Sequence, residues 1–226
     1  MSEIPKTLTM RVTMGGIAVV AWFALALQLY LTVTTTDAGG GSISGAVANY
    51  FSFFTILTNI LVALTLTFSL CLLKFSWGRF FDRPAVQAGV AVYIAVVGAT
   101  YSLLLRHLWN PQGAQKLADV LLHDVVPVVY VIYWFVFASK AGLRWKHAVW
   151  WLIYPVVYML YTLVRGVATG WYPYPFIDAG ILGFPRALAN GAAVLFAFFA
   201  LGLLAVAIGR WMGRSSVGGE FGNTHS

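Results

Sequence analysis

Long apolar stretches alternate with short polar ones along this chain, and within the apolar stretches nothing alternates with period two. Six stretches are long enough to cross a bilayer: 12–36, 49–73, 85–106, 118–139, 147–165 and 186–212. At a rise of about 1.5 Å per residue, about 20 residues cover the ~30 Å of hydrocarbon. Lipid offers the backbone no hydrogen bonds, so only helices or closed barrels span it, and continuous apolar runs favour helices. The pattern predicts an all-α integral membrane protein, a six-transmembrane-helix bundle over residues 1–212 with a flexible cytoplasmic tail over 213–226. The first run is too long and starts too late for a cleaved signal peptide, and no small-residue cleavage motif closes it.

The basic residues set the sidedness. Lys6 and Arg11 precede the first span, Lys74, Arg79 and Arg83 join the second to the third, Lys140, Arg144 and Lys146 join the fourth to the fifth, and Arg210 and Arg214 end the sixth. The opposite side holds only Arg106, Lys116, Arg165 and Arg186. Cytoplasmic connections carry the excess of Lys and Arg, so both termini are expected in the cytoplasm and the protein in the cell (inner) membrane. Of the outer connections, 37–48 is Gly/Ser-rich and flexible, and 166–185 is rich in aromatics and proline.

Composition narrows the function. Only 9% of the 226 residues are charged and 60% are hydrophobic, against about 25% charged in soluble domains. Mean hydropathy is +0.81. The net charge of +7 is spread over short loops, which suits retention of those loops rather than binding of nucleic acid. Cys71 is the single cysteine, so there is neither an internal disulfide nor a thiolate zinc site. The histidines 107, 123, 147 and 225 fall in separate regions, with no H-E-x-x-H, no G-x-S-x-G elbow and no phosphate loop. No metal or cofactor is expected. The absence of an internal repeat gives no support to an inverted-repeat transporter.

The polar residues inside the spans carry the chemistry. With both ends inside, spans two, four and six run from outside to inside. Thr55 lies about one and a half turns past Asn49, and His123 about one turn past Asp119, which puts a hydroxyl and an imidazole at similar depth. Asn49, Ser52, Thr55 and Thr58 repeat at i, i+3 and Asn59 is i+4 from Thr55, a stripe along one helix face. Hydroxyls in membrane helices also serve simply to bond the carbonyl one turn back. Asp119 either orients His123 as the third group of a triad does or caps the helix start and meets water. Asp124 points to another face. Pro127, one turn on, frees a carbonyl and bends the helix near the site. Asn190 in the sixth span, and Arg106 and Arg165 at the outer ends of the third and fifth, add polar groups at the same level, with Thr100, Tyr101 and Ser102 just below Arg106. Tyr154, Tyr158 and Tyr161 form a stripe at i, i+4, i+7, and Trp171, Tyr172, Tyr174 and Phe176 follow in the outer loop. They read as an interfacial belt, or in part as the wall of an acyl-chain site.

Three segments resemble landmarks of the androgen-induced protein / androgen-dependent TFPI-regulating protein family: N-Y-F-S-F-F-T-I-L-T-N at 49–59, A-D-V-L-L-H-D-V-V-P at 118–127, and G-W-Y-P-Y-P-F-I-D at 170–178. They cover under a fifth of the chain, and the chain reads as a bacterial member. The resemblance implies a six-span intramembrane threonine hydrolase that cleaves fatty acid esters of hydroxy fatty acids. It puts the nucleophile on Thr55 and the histidine on His123, and the outer Tyr-Pro-Phe with its following acid on Tyr174, Pro175, Phe176 and Asp178. A shift of three residues would select Ser52 in place of Thr55. Asp119 has no acidic counterpart in the animal proteins, so its role would be specific to this branch.

The expected function is therefore a lipid ester hydrolase. Thr55 attacks the ester, His123 serves as general base and then acid, and an acyl-threonine forms and is hydrolysed. Asn59 or Asn190 donates to the oxyanion, and Arg106 or Arg165 holds a substrate carboxylate beside Ser52, Tyr158, Tyr174 and Phe176. The alternative is a transporter or sensor binding a small amphiphile without turning it over; buried carboxylates deep in the membrane would favour it, and every acid here sits near a span edge.

Overall fold

The structure, a computed structural model, describes residues 6–218, with side chains through Met212. Among the described residues every regular element is a helix. In chain order they are α1 (Leu8–Ala38), α2 (Ile43–Tyr50), α3 (Phe54–Cys71), α4 (Ser76–Phe81), α5 (Pro84–Thr100), α6 (Gly113–Val120), α7 (Val126–Val136), α8 (Trp145–Trp150), α9 (Ile153–Thr169), α10 (Ala179–Leu182) and α11 (Phe184–Gly218). Six helical stretches are long and apolar enough to cross a membrane: Leu8–Ala38, Phe54–Cys71, Pro84–Leu108, Gly113–Val136, Trp145–Thr169 and Phe184–Met212. The chain divides into two compact units between Ala138 and Ser139.

Local chemistry sets the ends of the helices. The Thr7 hydroxyl accepts from the Met10 amide at 3.2 Å and Ser42 caps α2 through Gly45, each satisfying a first-turn N–H that has no helical partner. Pro84 opens α5, where its missing N–H costs nothing. Gly170 closes α9 in the left-handed region at φ 70°, a conformation that only glycine adopts without a steric penalty.

In the first unit α1 lies against α3, α3 against α5, and α5 against α7. The face that α1 buries carries Ala18, Ala21 and Ala24; small side chains let backbones approach where lipid supplies no hydrophobic drive. One end of the unit is tied by polar contacts. Lys6 Nζ pairs with Asp82 at 2.6 Å and donates to the Ser69 carbonyl at 2.5 Å, Gln87 donates to Asp82 at 3.3 Å, and the Tyr133 hydroxyl donates to Gln87 Oε1 at 3.3 Å. Tyr50 OH donates to the Leu25 carbonyl at 2.8 Å, and Gln115 to Gln28 at 2.7 Å. Burial pushes the Tyr50 phenol up to about 12, so it remains a donor.

Two boundaries differ from the sequence-based expectation. The second span does not run unbroken from 49: α2 ends at Tyr50, the chain turns, and α3 begins at Phe54. The sixth helix continues past 212 to Gly218, and residues 219–226 of the expected tail lie outside the described residues.

In the second unit α8 packs on α11, where an added Cβ on Gly202 would stand 3.4 Å from Ala148 and 3.5 Å from the Trp151 ring. Lys140, in the segment before α8, is pulled down to about 8 by burial of its ammonium.

Candidate functional site

The site is built around a widened turn. Residues 121–125 form a π-helical turn between α6 and α7, closed by the Val126 amide on the Leu121 carbonyl. The cause lies in Pro127, which has no N–H to give the His123 carbonyl and whose ring would press on it. The freed carbonyl faces Gly98 of α5, where an added Cβ would lie 3.3 Å from His123 O and 3.1 Å from Pro127 Cβ. A second π turn, 101–105, continues α5 and closes with the Arg106 amide on the Tyr101 carbonyl. Single π turns inside α-helices are rare and gather at functional sites, because the extra residue re-aims the side chains around it. Here the two carry Tyr101 and His123.

The imidazole of His123 is held on three sides. Its Nδ1 lies 2.9 Å from the backbone carbonyl of Asp119 and 3.1 Å from Asp119 Oδ1. The carbonyl takes the better-aligned bond, so the carboxylate acts on the ring chiefly through its charge. Both neighbours are acceptors, so Nδ1 carries a hydrogen, and in the neutral ring Nε2 then presents a lone pair. Nε2 makes no hydrogen bond among the described residues. The Tyr101 ring stacks on the imidazole with centroids 4.0 Å apart and planes 15° from parallel.

Asp119 is almost fully buried, its side chain 5% exposed against 16% for His123. It does not meet water at the helix start. The Tyr101 hydroxyl donates to its Oδ2 in a short hydrogen bond. Arg106 covers the Tyr101 ring from 4.9 Å, donates to Ser102 at 3.1 Å and forms a short ion pair with Asp124. Asp124, set aside on the sequence as facing elsewhere, thus belongs to the outer layer of the same cluster. Arg106, half-exposed, already has a carboxylate partner of its own.

On α3, Thr55 is the second helical residue and is buried. The break at 51–53 corrects the single stripe: Thr55, Thr58 and Asn59 share α3, while Asn49 belongs to α2 and Ser52 to the turn. Ser52 is fully buried and its hydroxyl donates to the Ala48 carbonyl at 2.6 Å. Asn59 Nδ2 donates to the Thr55 carbonyl at 2.8 Å and to the Leu122 carbonyl at 3.2 Å. Both partners being carbonyls, the amide nitrogen must face them, and its two hydrogens are engaged. Asn59 is therefore a bolt between α3 and the His123 turn rather than the oxyanion donor expected of it. Its Oδ1 is buried without a partner.

The bolt sets the relative level of the two helices. Two carbonyl oxygens bonded to one nitrogen lie within about 6 Å of each other, so Asn59 and Leu122 share a layer. Thr55 is one turn toward the start of α3 from that layer. The His123 ring reaches one turn toward the start of its own helix, to Asp119, as helical side chains do. Depth counted from Asn49 no longer applies; the Asn59 bridge takes its place.

The remaining expected site residues belong to the second unit. Arg165 stacks over Trp171 at 4.5 Å, and Tyr158 and Tyr161 are tilted neighbours with ring centroids 6.4 Å apart. Tyr174 and Phe176 stack at 5.4 Å, and Asp178 caps α10 through the Gly180 and Ile181 amides. Asn190 donates to the Phe176 carbonyl at 2.8 Å, so its amide fastens this loop. Among the described residues no group of His, Cys, Asp or Glu could hold a metal ion.

No protein-family model matches this chain, and neither does any curated protein or any solved structure.

Proposed function

We propose that the protein is an intramembrane lipid ester hydrolase, of the type its sequence resembles, acting on fatty acyl esters near the outer surface of the cell membrane. The observation that carries the reading is the placement of His123 Nδ1, 2.9 Å from the Asp119 carbonyl and 3.1 Å from its buried carboxylate, with no hydrogen bond to Nε2 among the described residues. A base so held resembles the His–Asp half of a nucleophilic triad. Thr55 is the nucleophile in this reading: it lies one turn before Asn59, whose amide joins α3 to the His123 turn, and the family resemblance places the nucleophile there.

In the reaction, Nε2 takes the proton of Thr55 Oγ1 as that oxygen attacks the ester carbonyl. The carbon–oxygen bond to the leaving alcohol breaks, and the alkoxide takes the proton from Nε2. Water then repeats the sequence on the acyl-threonine, releasing the fatty acid and restoring Thr55. The Asp119 carboxylate faces Nδ1 of the ring throughout, 3.1 Å away. The start of α3, without a side-chain cap, offers the positive end of its dipole to the oxyanion.

The test is hydrolysis of p-nitrophenyl and branched fatty acid esters by detergent-solubilised protein. Thr55→Ala and His123→Ala should each abolish turnover while folded protein accumulates. Wild-type turnover in Thr55→Ala with loss in Ser52→Ala would move the nucleophile, and turnover in all three would end the proposal. One observation favours a second reading, a site that binds a small amphiphile without cleaving it: Asp119 is buried within a span rather than at its edge. That reading predicts ester binding without Thr55-dependent product.

A further inference from the structure

Asp119 is the most buried acid in the first unit, and no lysine or arginine pairs with it among the described residues. A carboxylate in that position is costly unless hydrogen-bonded and compensated. Its Oδ2 accepts from the Tyr101 hydroxyl, while its Oδ1 lies 3.1 Å from His123 Nδ1 and is buried without a hydrogen bond. The carboxylate can turn about its terminal torsion, which is broad and roughly two-fold. Among the described residues, the Tyr101 hydroxyl is the group that ties its far oxygen down.

Tyr101 makes a second contact with the same pair. Its ring lies flat against the imidazole, while Arg106 stands over the ring at 4.9 Å. The ring is already covered by His123 on one face, so the guanidinium takes the other. The side chain is thus clamped between a histidine and an arginine, with its hydroxyl aimed at the acid. The π turn at its own position sets this register, and a second one sets that of His123.

We propose that Tyr101 is a positioning residue of this site. Its hydroxyl holds the Asp119 carboxylate against Nδ1 and its ring holds the plane of the imidazole, so that Nε2 is presented in one direction. As a statement about turnover this rests on the hydrolase reading above; as a statement about His123 it does not. Tyr101 acts through Asp119 and through the imidazole ring it stacks on, and itself transfers no proton.

The experiment is a double-mutant cycle with Tyr101→Phe and Asp119→Asn in the full chain, read twice. The first readout is the NMR signal of the His123 Nδ1–H group in selectively labelled protein, assigned by its loss in His123→Gln. The second is ester turnover, split into kcat and KM. Tyr101→Phe keeps the ring and the stack and removes the hydroxyl's bond to the Asp119 carboxylate together with its bond to the Trp109 side chain. It should shift the Nδ1–H signal and lower kcat about ten- to a hundredfold with KM little changed. In the Asp119→Asn background it should add almost nothing to either. A shifted and coupled Nδ1–H signal in protein that cleaves no ester would sink the hydrolase reading and leave the positioning role standing. An Nδ1–H signal unmoved by Tyr101→Phe, or moved equally in the Asp119→Asn background, overturns the inference whatever the activity. Should Asp119→Asn fail to accumulate, the single Tyr101→Phe spectrum decides by the same criterion.

Discussion

Adding one methyl group at Gly98 is the sharpest structural perturbation of the His123 turn. The Cβ of Gly98→Ala would meet Pro127 Cβ at 3.1 Å and the His123 carbonyl at 3.3 Å. Neither neighbour is the free end of a flexible chain: one is a proline ring, the other a backbone carbonyl left open by that proline. Relief therefore requires α5 and α7 to separate by a few tenths of an ångström. Overpacking of this kind costs about 1–3 kcal/mol, partly offset by the roughly 1 kcal/mol that alanine gains over glycine within a helix. Gly16 on α1 has nothing within 4 Å of an added Cβ, so Gly16→Ala carries the propensity gain alone. The two variants should differ by about 1–3 kcal/mol, which at about 2–4 °C per kcal/mol for a chain of this size is several degrees of Tm. The assay is thermal unfolding of detergent-purified protein, alongside ester turnover. Gly98→Ala should unfold below Gly16→Ala and lose turnover, because the methyl group pushes on the turn that carries His123. Equal unfolding temperatures and equal turnover in the two would refute the close approach of α5 to the turn.

Three further perturbations follow from other contacts. Asn59→Leu removes a buried donor from the Leu122 carbonyl and should cost about 1–3 kcal/mol; Asn59→Asp should be worse at pH 8 than at pH 5, because a carboxylate would face two carbonyls, and Tm across pH checks both. Lys6→Met breaks the half-buried pair with Asp82 and should lower Tm by more than Arg11→Met, whose parent side chain is exposed; equal effects would show that the pair contributes nothing. The folded-state pKa of Lys140, about 8 against 10.5 for the free side chain, means that the unfolded chain binds more protons between those values. Stability is therefore lowest below pH 8 and rises through that window, a rise that Lys140→Met should flatten in a Tm series across pH.

Much of this architecture was legible before any coordinates. Apolar run length alone locates the spans, because a helix in lipid must be both long and apolar, and the six runs agree with the six helices in position. The break before α3 was not legible. Tyr50, Phe51, Ser52 and Phe53 include neither glycine nor proline, and nothing in an aromatic run marks a turn made by tertiary packing. Pro127 did announce a freed carbonyl, but proline alone does not say whether a helix kinks or widens; the π turn and its glycine partner at position 98 appear only in three dimensions. Asp119 and His123 were visible as an i, i+4 pair. Tyr101 was visible only as one of three polar residues, with Thr100 and Ser102, just below Arg106; its stacking on His123 and its bond to Asp119 appear only in three dimensions. Asn59 was visible as a polar residue on the face of Thr55, but sequence does not show that its amide nitrogen meets the Thr55 and Leu122 carbonyls.

The most direct measurement is covalent capture of the nucleophile. A long-chain fluorophosphonate, incubated with the purified protein and mapped by mass spectrometry, should add to Thr55 in the wild type. It should fail to add in Thr55→Ala, and should react far more slowly in His123→Ala, where no base takes the proton. Labelling of a residue outside α3, or undiminished labelling after loss of the imidazole, would contradict the pairing of Thr55 with His123.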